Sequence, residues 1–208
     1  MRIIFDLESN GLLEALDTIH CIAYVDLDTK DKEIQVSTGI ESVLELLEDA
    51  NEIIGHNIVR FDIPAIQKVY PKFNPKGKVT DTLVLSQLIK ANLYNDDFSN
   101  VTLPPEFLKR MYGSHSLKAW GMRMSNLKDD YSGGWEECNE EMLKYCKQDV
   151  GVTQDLYNLL MAENFSEESI ELEHSLNEIC YRIGNNGWYF DVESASNLYA
   201  KLAQRRVT

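Results

Sequence analysis

The 208-residue sequence has few of the features that mark secreted, membrane or zinc-binding proteins. Its four cysteines are scattered and form no Cys-x-x-Cys pair, so no disulfide framework is expected. With only four histidines as well, a zinc site is not expected either. No apolar run approaches the roughly 18 residues of a membrane span, and the opening residues Met1 to Phe5 are too short for a signal-peptide core. These absences favour a cytoplasmic protein with reduced thiols.

Basic residues are also scarce. There are 20 Lys and Arg against 34 Asp and Glu, which gives a formal net charge of −14. Phosphate binding usually depends on Lys and Arg, so the chain alone is expected to bind duplex DNA weakly. Two interpretations of the acids stay open. One is that the acids form a solvated surface. The other is that several of them bind divalent metal ions, which in turn contact the phosphate. Both can hold together.

The hydrophobic pattern predicts a mixed α/β domain in which three strands are followed by helices and one more short strand. The predicted strands cover residues 2–7, 19–26, 32–37 and 52–55. The predicted helices cover residues 40–51, 62–70, 81–93, 116–124, 139–163 and 166–184, with a last helix after residue 191. Asp81 or Thr82 is the predicted N-cap of the third helix, Asn139 the predicted start of the fifth, and Ser166 the predicted N-cap of the sixth. The predicted irregular segments are a loop over 95–105, a flexible stretch over 128–135, and a strand or turn over 187–191.

The best domain boundary lies between Phe165 and Ser166, because the pattern after it is helical apart from a turn at Gly187. Residues 1–165 are therefore predicted to form the main domain, and residues 166–208 a helical tail.

Acidic side chains supply the candidate chemistry. Asp6 and Glu8 are separated by one residue on a predicted strand, so both carboxylates point to one face and Leu7 points to the other. Placing two carboxylates side by side is electrostatically costly unless a positive charge lies beside them, and a divalent cation would supply that charge. Asp-x-Glu alone is weak support for a metal site.

Two further aspartates have ordinary alternatives. Asp62 opens a predicted helix, where aspartate is a common N-cap. Asp149 follows Tyr145 by four residues, which places both side chains on one helical face. That face could be solvated, and the two residues would then be a surface Tyr–Asp pair.

The order of these motifs is more specific than any one of them. Asp-x-Glu at Asp6 and Glu8, Asn-x-x-x-Phe-Asp ending at Asp62, and Tyr-x-x-x-Asp at Tyr145 and Asp149 resemble the three motifs of the DnaQ-like exonucleases. Those proofreading nucleases have four metal-binding acids on an RNase H-like fold. A tyrosine before the last aspartate is typical of the Tyr branch of the family.

Segments between the motifs are also similar to one subgroup, the exonuclease domains of family A DNA polymerases from short-tailed phages. The similar segments are residues 81–86, 113–121, 139–142 and 186–191. The resemblance covers essentially the whole chain. It implies an RNase H-like (DnaQ-like) mixed sheet flanked by helices, with a C-terminal helical tail that resembles the start of the polymerase domain.

The resemblance implies a 3′-5′ exonuclease that removes nucleotides from single-stranded or frayed DNA ends, the proofreading part of a DNA polymerase. Two Mg²⁺ ions about 4 Å apart, for which Mn²⁺ can substitute, would serve a two-metal hydrolysis. Asp6 would bridge both ions. Glu8 and Asp149 would complete the site of the attacking water, and Asp62 would hold the second ion. Tyr145 would orient the water, because a tyrosine with a pKa of about 10 is a poor base.

The resemblance also implies substrate contacts. His56 and Asn57 match positions that contact the terminal nucleotides, and Leu12 matches an apolar wedge near the terminal base. Leu12 could equally pack within its loop, and His56 could be a capping or core histidine. The implied partners are the 3′ end of single-stranded DNA and a polymerase domain in cis or as a separate chain, inside an infected host cell. No membrane partner is implied.

Aromatic residues give weaker indications. Trp120 is expected in the core and His115 in a structural role before a helix, whereas Trp135 could stack on a base or pack internally.

Two other functions compete with proofreading. A stand-alone 3′-5′ exoribonuclease of the same branch would share all four acids, but the tail after Ser166 favours a polymerase. A non-catalytic docking module would have lost at least one acid, and none is missing.

Overall fold

A mixed sheet of five strands in the order β3-β2-β1-β4-β5 forms the centre of the computed structural model, which describes residues 1–126 and 131–207. The strands are β1 (Arg2–Ser9), β2 (Ile19–Asp26), β3 (Gln35–Ser37), β4 (Glu52–Gly55) and β5 (Lys78–Asp81). The central strand β1 runs antiparallel to β2 and parallel to β4. The outer pairs are antiparallel between β2 and β3 and parallel between β4 and β5.

Helices cover both faces of the sheet. They are α1 (Ile40–Asp49), α2 (Asp62–Val69), α3 (Thr82–Ile89), α4 (Leu93–Ser99), α5 (Leu117–Arg123), α6 (Glu140–Met161), α7 (Glu167–Asn186) and α8 (Val192–Val207), with one 3-10 turn at Lys109–Met111. No helix within the described residues has both the length and the apolar character needed to cross a membrane.

Alternation along β1 divides the core in two. Ile3, Phe5 and Leu7 pack on the face covered by α1 and α2. Ile4 packs on the opposite face, against α6. Both isoleucines and Phe5 are completely buried, and each such side chain stabilises the fold by roughly 1.5–3 kcal/mol. Because side chains alternate, the strand turns its odd positions to one layer and its even positions to the other.

The long helix α6 lies across β1 and β2. It begins after Asn139, whose side chain accepts a hydrogen bond from the backbone N–H of Met142. Two glutamates in its first turn interact favourably with the positive end of the helix dipole and so stabilise the helix. Its buried residues recur at spacings of three and four. This stripe comprises Met142, Cys146, Asp149, Thr153, Leu156 and Leu160.

Most predicted elements are present. Strand β3 covers only the last three residues of the predicted strand 32–37, and the other main differences lie on either side of α3. Strand β5 was not predicted. Helix α3 ends at Ile89 rather than at residue 93, and part of the predicted loop over 95–105 is the helix α4. A tertiary contact explains α4, because Asp97 within it is buried and forms an ion pair with Arg123. The predicted stretch over 128–135 lies partly outside the described residues.

Helix α7 begins at the predicted cap, Ser166, and its first half contacts the main body. Ile170 is buried there, and His174 Nε2 accepts a hydrogen bond of 2.8 Å from the backbone N–H of Asp81. In the second half of α7 and in α8, large apolar side chains are exposed. The division between residues 165 and 166 stays a prediction.

Candidate active site

The central strand carries the first two acids. Beyond Ile4, β1 has no partner in β4, because that pairing covers only Arg2–Ile4. On its other edge Asp6 faces Ala23 and Glu8 faces Cys21 of β2. The parallel neighbour therefore ends where the acids begin, which opens space beside them. Glu8 is buried and Asp6 is half-buried.

The third acid follows a sharp departure of the chain from β4. A Cβ atom on Gly55 would lie 2.1 Å from Ile58 Cγ2 and 2.9 Å from the carbonyl oxygen of Phe5, so only glycine fits. The chain then runs through residues 56–61 into α2, where Asp62 is the first helical residue and is 3% exposed. The N-cap position belongs to Phe61, so the alternative that Asp62 is the cap is wrong.

Another buried carboxylate, that of Asp81, holds this segment in place. Its oxygens accept hydrogen bonds from the backbone N–H groups of Asn57 at 2.7 Å, Val59 at 3.2 Å and Leu83 at 2.9 Å. Asn57 has a φ of +67°, a conformation that non-glycine residues adopt only with outside support. The sequence indicated Asp81 or Thr82 as the cap of α3, and Asp81 is the cap. Its second role was missed because it depends on contacts 22 and 24 residues away.

Helix α6 brings the remaining two residues. Asp149 belongs to its buried stripe and is 6% exposed, so the alternative of a solvated Tyr–Asp face is wrong. Tyr145 lies one turn earlier, with its ring centre 5.7 Å from that of Tyr131. Because α6 crosses β1, these side chains approach the end of the strand that carries the first acids.

All eight predicted site residues line one cleft of about 360 Å³. They are Asp6, Glu8, Leu12, His56, Asn57, Asp62, Tyr145 and Asp149. Phe61 and Trp135 complete the wall together with small residues of the loop after β1. Within the described part of the chain, no Lys or Arg lines this cleft. Four carboxylates therefore share a small space without a protein cation among the lining residues.

Burial raises the pKa of two carboxyl groups at the site, and repulsion by other acids adds to the shift of one of them. Burial, followed by the negative charges of Asp81 and Asp149, raises the pKa of Asp62 to about 7. Burial likewise raises the pKa of Asp81, against its three backbone hydrogen bonds. A carboxyl group that resists ionisation to this extent marks a place where a cation would be bound favourably.

The donor chemistry fits a hard divalent cation. Ligand atoms of Asp6, Glu8 and Cys146 lie within 4.8 Å of one another. A hydrogen bond with Cys21, followed by burial, raises the pKa of the Cys146 thiol, so the sulfur stays protonated. That thiol donates a 3.5 Å hydrogen bond to the backbone oxygen of Asp6. The carboxylates remain as ligands, and oxygen ligands suit Mg²⁺ or Mn²⁺.

The predicted substrate residues differ in how firmly they are held. Thr82 Oγ1 donates its one hydrogen to the carbonyl oxygen of Gly55, so in the 2.9 Å contact with His56 the ring Nδ1–H is the donor. His56 is therefore fixed in one ring orientation on the cleft wall. Leu12 is 71% exposed, which argues against packing within its loop.

Two side chains with expected structural roles are outside the cleft lining. Trp120 is buried in the core, as predicted. His115 Nδ1 lies 3.0 Å from Ser86 Oγ, and its ring is beside that of Trp120, which agrees with a structural role.

The family follows from the sequence profile of the RNase H superfamily, which matches residues 3–161, more than half of the chain. The chain belongs to the RNase H superfamily. The predicted RNase H-like mixed sheet is thereby confirmed.

Among relatives in sequence, the DNA-directed DNA polymerases of Escherichia phage T7 and Enterobacteria phage T3 are each 28% identical over 98% of this chain. The predicted resemblance to phage DNA polymerases is confirmed. The alignment covers 35% of each polymerase, so the chain spans about a third of the length of these relatives.

Solved structures share the RNase H-like fold. Brucella melitensis NrnC bound to pGG superposes with a TM-score of 0.62 at 16% identity, covering 92% of this chain and 89% of that one. NrnC has also been solved with bound Mg²⁺. Escherichia coli RNase D, an exoribonuclease involved in structured RNA processing, gives a TM-score of 0.54 at 14% identity, covering 88% of this chain and 45% of that chain.

Proposed function

We propose that this chain is a 3′-5′ exonuclease domain that hydrolyses phosphodiester bonds at the 3′ end of DNA. The observation that carries the proposal is the convergence of four acids and a tyrosine from β1, α2 and α6 in one cleft. Membership of the RNase H superfamily and the 28% identity to two phage DNA polymerases support it. DNA, rather than RNA, is proposed as substrate because those relatives in sequence are DNA polymerases.

The acids would hold two divalent cations, Mg²⁺, for which Mn²⁺ can substitute. When bound, the cations lower the pKa of a water and stabilise the charge of the leaving oxygen. Asp6 on the central strand would contribute to holding both ions. Glu8 and Asp149 would help to hold the one beside the attacking water, and Asp62 would help to hold the other. Tyr145 orients the attacking water through its phenolic O–H, because an uncharged phenol is too weak a base to take the proton itself.

The substrate end would be a single strand. The cleft would receive a frayed terminus, since unpairing costs least where a base is mismatched. His56 and Asn57 would contact the last nucleotides, and the exposed Leu12 would lie against the terminal base. In this proposal residues 1–165 form the exonuclease domain and residues 166–208 lead into a polymerase domain, present in cis or as a separate chain, within an infected host cell.

The test is degradation of a 5′-labelled single-stranded oligodeoxynucleotide in Mg²⁺, with an RNA strand of the same sequence in parallel. We expect a ladder that shortens from the 3′ end, lost in EDTA and in the double variant Asp6→Ala/Glu8→Ala. Faster loss of the RNA strand would favour an exoribonuclease instead. An intact strand in both Mg²⁺ and Mn²⁺, with folded wild-type protein, would contradict the proposal.

A further inference from the structure

Trp135, which lines the cleft, and the neighbouring Tyr131 form an aromatic rim that has no part in the proposed metal chemistry. Trp135 lines the same cleft as the four acids, yet its residue surface is 41% exposed. Its ring lies edge-on to that of Tyr131, with centroids 4.8 Å apart and planes 64° from parallel. An exposed indole beside a catalytic cleft presents a flat apolar surface to whatever enters.

Contacts around Trp135 hold this rim against the body of the domain. His20 Nε2 donates a 2.9 Å hydrogen bond to the Trp135 carbonyl oxygen. The Tyr131 hydroxyl donates to the Gly134 carbonyl oxygen at 2.7 Å and accepts from Asn139 Nδ2 at 2.8 Å. Asn139 is also the N-cap of α6, the helix that carries Tyr145 and Asp149. The rim is therefore linked by hydrogen bonds to α6, the element that positions Tyr145 and Asp149.

The charge of the cleft does not favour binding of a nucleic acid through its phosphates. The described lining of the cleft contains no Lys or Arg, and the chain as a whole carries a net charge of −14. Among the described lining residues, none would attract the phosphates of a strand by a positive side-chain charge of the Lys or Arg type. Aromatic stacking on bases does not depend on charge and is worth about 5- to 150-fold in affinity per base.

We propose that Trp135 is a base-stacking residue, which binds a nucleotide of the single-stranded 3′ end beside the four acids. The inference rests on the proposed exonuclease function and adds a substrate contact to those proposed for His56, Asn57 and Leu12. Stacking accepts every base, which suits an enzyme that removes nucleotides of any sequence. It also requires an unpaired base, so the rim favours single strands over duplex.

Steady-state kinetics on a 5′-labelled single strand test this role. Trp135→Ala should raise KM about tenfold and leave kcat within about twofold, because stacking holds substrate and transition state alike. Trp135→Phe keeps an aromatic face and should stay within about threefold of the wild-type KM. The matched control is Trp188→Ala, since Trp188 is 85% exposed and outside the cleft lining, and its KM should not change.

Two further arms separate stacking from a structural effect. On a strand whose last three nucleotides are abasic, wild type and Trp135→Ala should share one KM. In Ca²⁺, binding of a thymidine oligonucleotide should quench the fluorescence of Trp188→Phe but not that of Trp135→Phe/Trp188→Phe.

The outcomes are decisive for each proposal separately. Three outcomes would overturn stacking and leave the nuclease proposal intact. Folded Trp135→Ala could keep the wild-type KM, Trp135→Phe could show the same increase in KM as Trp135→Ala, or the increase in Trp135→Ala could persist on abasic ends. Quenching that depends on Trp135 in a protein that degrades no strand would support stacking and overturn the exonuclease.

Discussion

Asp62 is the residue whose ionisation is most disturbed by its surroundings. Its carboxyl pKa of about 7 means that the folded, metal-free protein holds a proton there between about pH 4 and pH 7, where the unfolded chain has released it. A folded state that binds more protons loses stability as the pH rises through that window. Because Asp62 is buried, solvent screens its charge little, and the shifted pKa contributes fully to the free energy of unfolding.

We therefore expect the metal-free protein to be less stable at pH 8 than at pH 5, by on the order of 2–4 kcal/mol from Asp62. Asp62→Asn should flatten most of that dependence and be more stable than wild type at pH 8. Thermal unfolding in EDTA across this pH range measures both. Asp31→Asn, in an exposed turn, is the control and should follow wild type. Parallel curves for wild type and Asp62→Asn would rule out this view of the carboxyl group.

Much of the residue-level site could be predicted because its motifs are local. Asp6 and Glu8 share a face through strand alternation, and Tyr145 and Asp149 share one through the helical repeat. Asp81 and Trp135 could not be assigned in this way. The role of Asp81 depends on a loop from another strand, and that of Trp135 depends on which residues share its cleft.

At the scale of elements, the junction of β5 and α3 supports the loop that precedes α2. Removing the Asp81 carboxylate would leave three backbone N–H groups without their acceptor in a buried place. We expect Asp81→Ala to destabilise the fold by about 2–4 kcal/mol and to weaken Mg²⁺-dependent cleavage as well. Ser166→Ala removes a cap that accepts a hydrogen bond from Ser169 N–H, and should cost about 1 kcal/mol without loss of activity.

Chemical denaturation and cleavage assays of the two variants make the comparison. Equal losses of stability, or full activity in Asp81→Ala, would show that the loop keeps its shape without the carboxylate.

The segment from α4 to α5 is organised around one buried ion pair. Arg123 donates to Asp97 and to the Ser114 carbonyl oxygen, and its guanidinium lies 4.9 Å from the Phe107 ring centre and 4.8 Å from that of Trp120. Arg123→Ala would leave the Asp97 carboxylate buried without its cation, so we expect a loss of about 3–5 kcal/mol in unfolding free energy.

The comparison is Arg182→Ala, which breaks an exposed pair with Glu178 within α7. Such a pair contributes about 0.3–0.5 kcal/mol, so the melting temperature should hardly move. A similar small change for both arginines would mean that the buried pair does not hold the segment together.

Elements with strong periodicity could be read from the sequence, whereas those that depend on partners could not. Strand β2 and strand β4 have their predicted bounds, and Asn139 and Ser166 cap their helices as predicted. Strand β5 is only four residues long and contains Thr80 and Asp81, so it lacks an apolar signature. Its place is set by parallel pairing with β4.

For the whole molecule, divalent ions should act as part of the fold. A cation that binds only the folded state stabilises it by about 2.7 kcal/mol at a hundred times its Kd. We expect Mg²⁺ or Mn²⁺ to raise the melting temperature, and Asp6→Ala/Glu8→Ala to abolish the rise. Differential scanning calorimetry with and without EDTA measures it. An equal rise in wild type and double variant would place the ions elsewhere.

The contact between Cys146 and the backbone of Asp6 joins positions 140 residues apart. During synthesis on the ribosome, β1 therefore emerges long before the helix that must lie across it has been made. A nascent chain can hold three of the acids but lacks the fourth, Asp149, until α6 has been made. If the acids form a nuclease, no partly translated product can damage nucleic acid, and activity begins only when nearly the whole domain has left the ribosome.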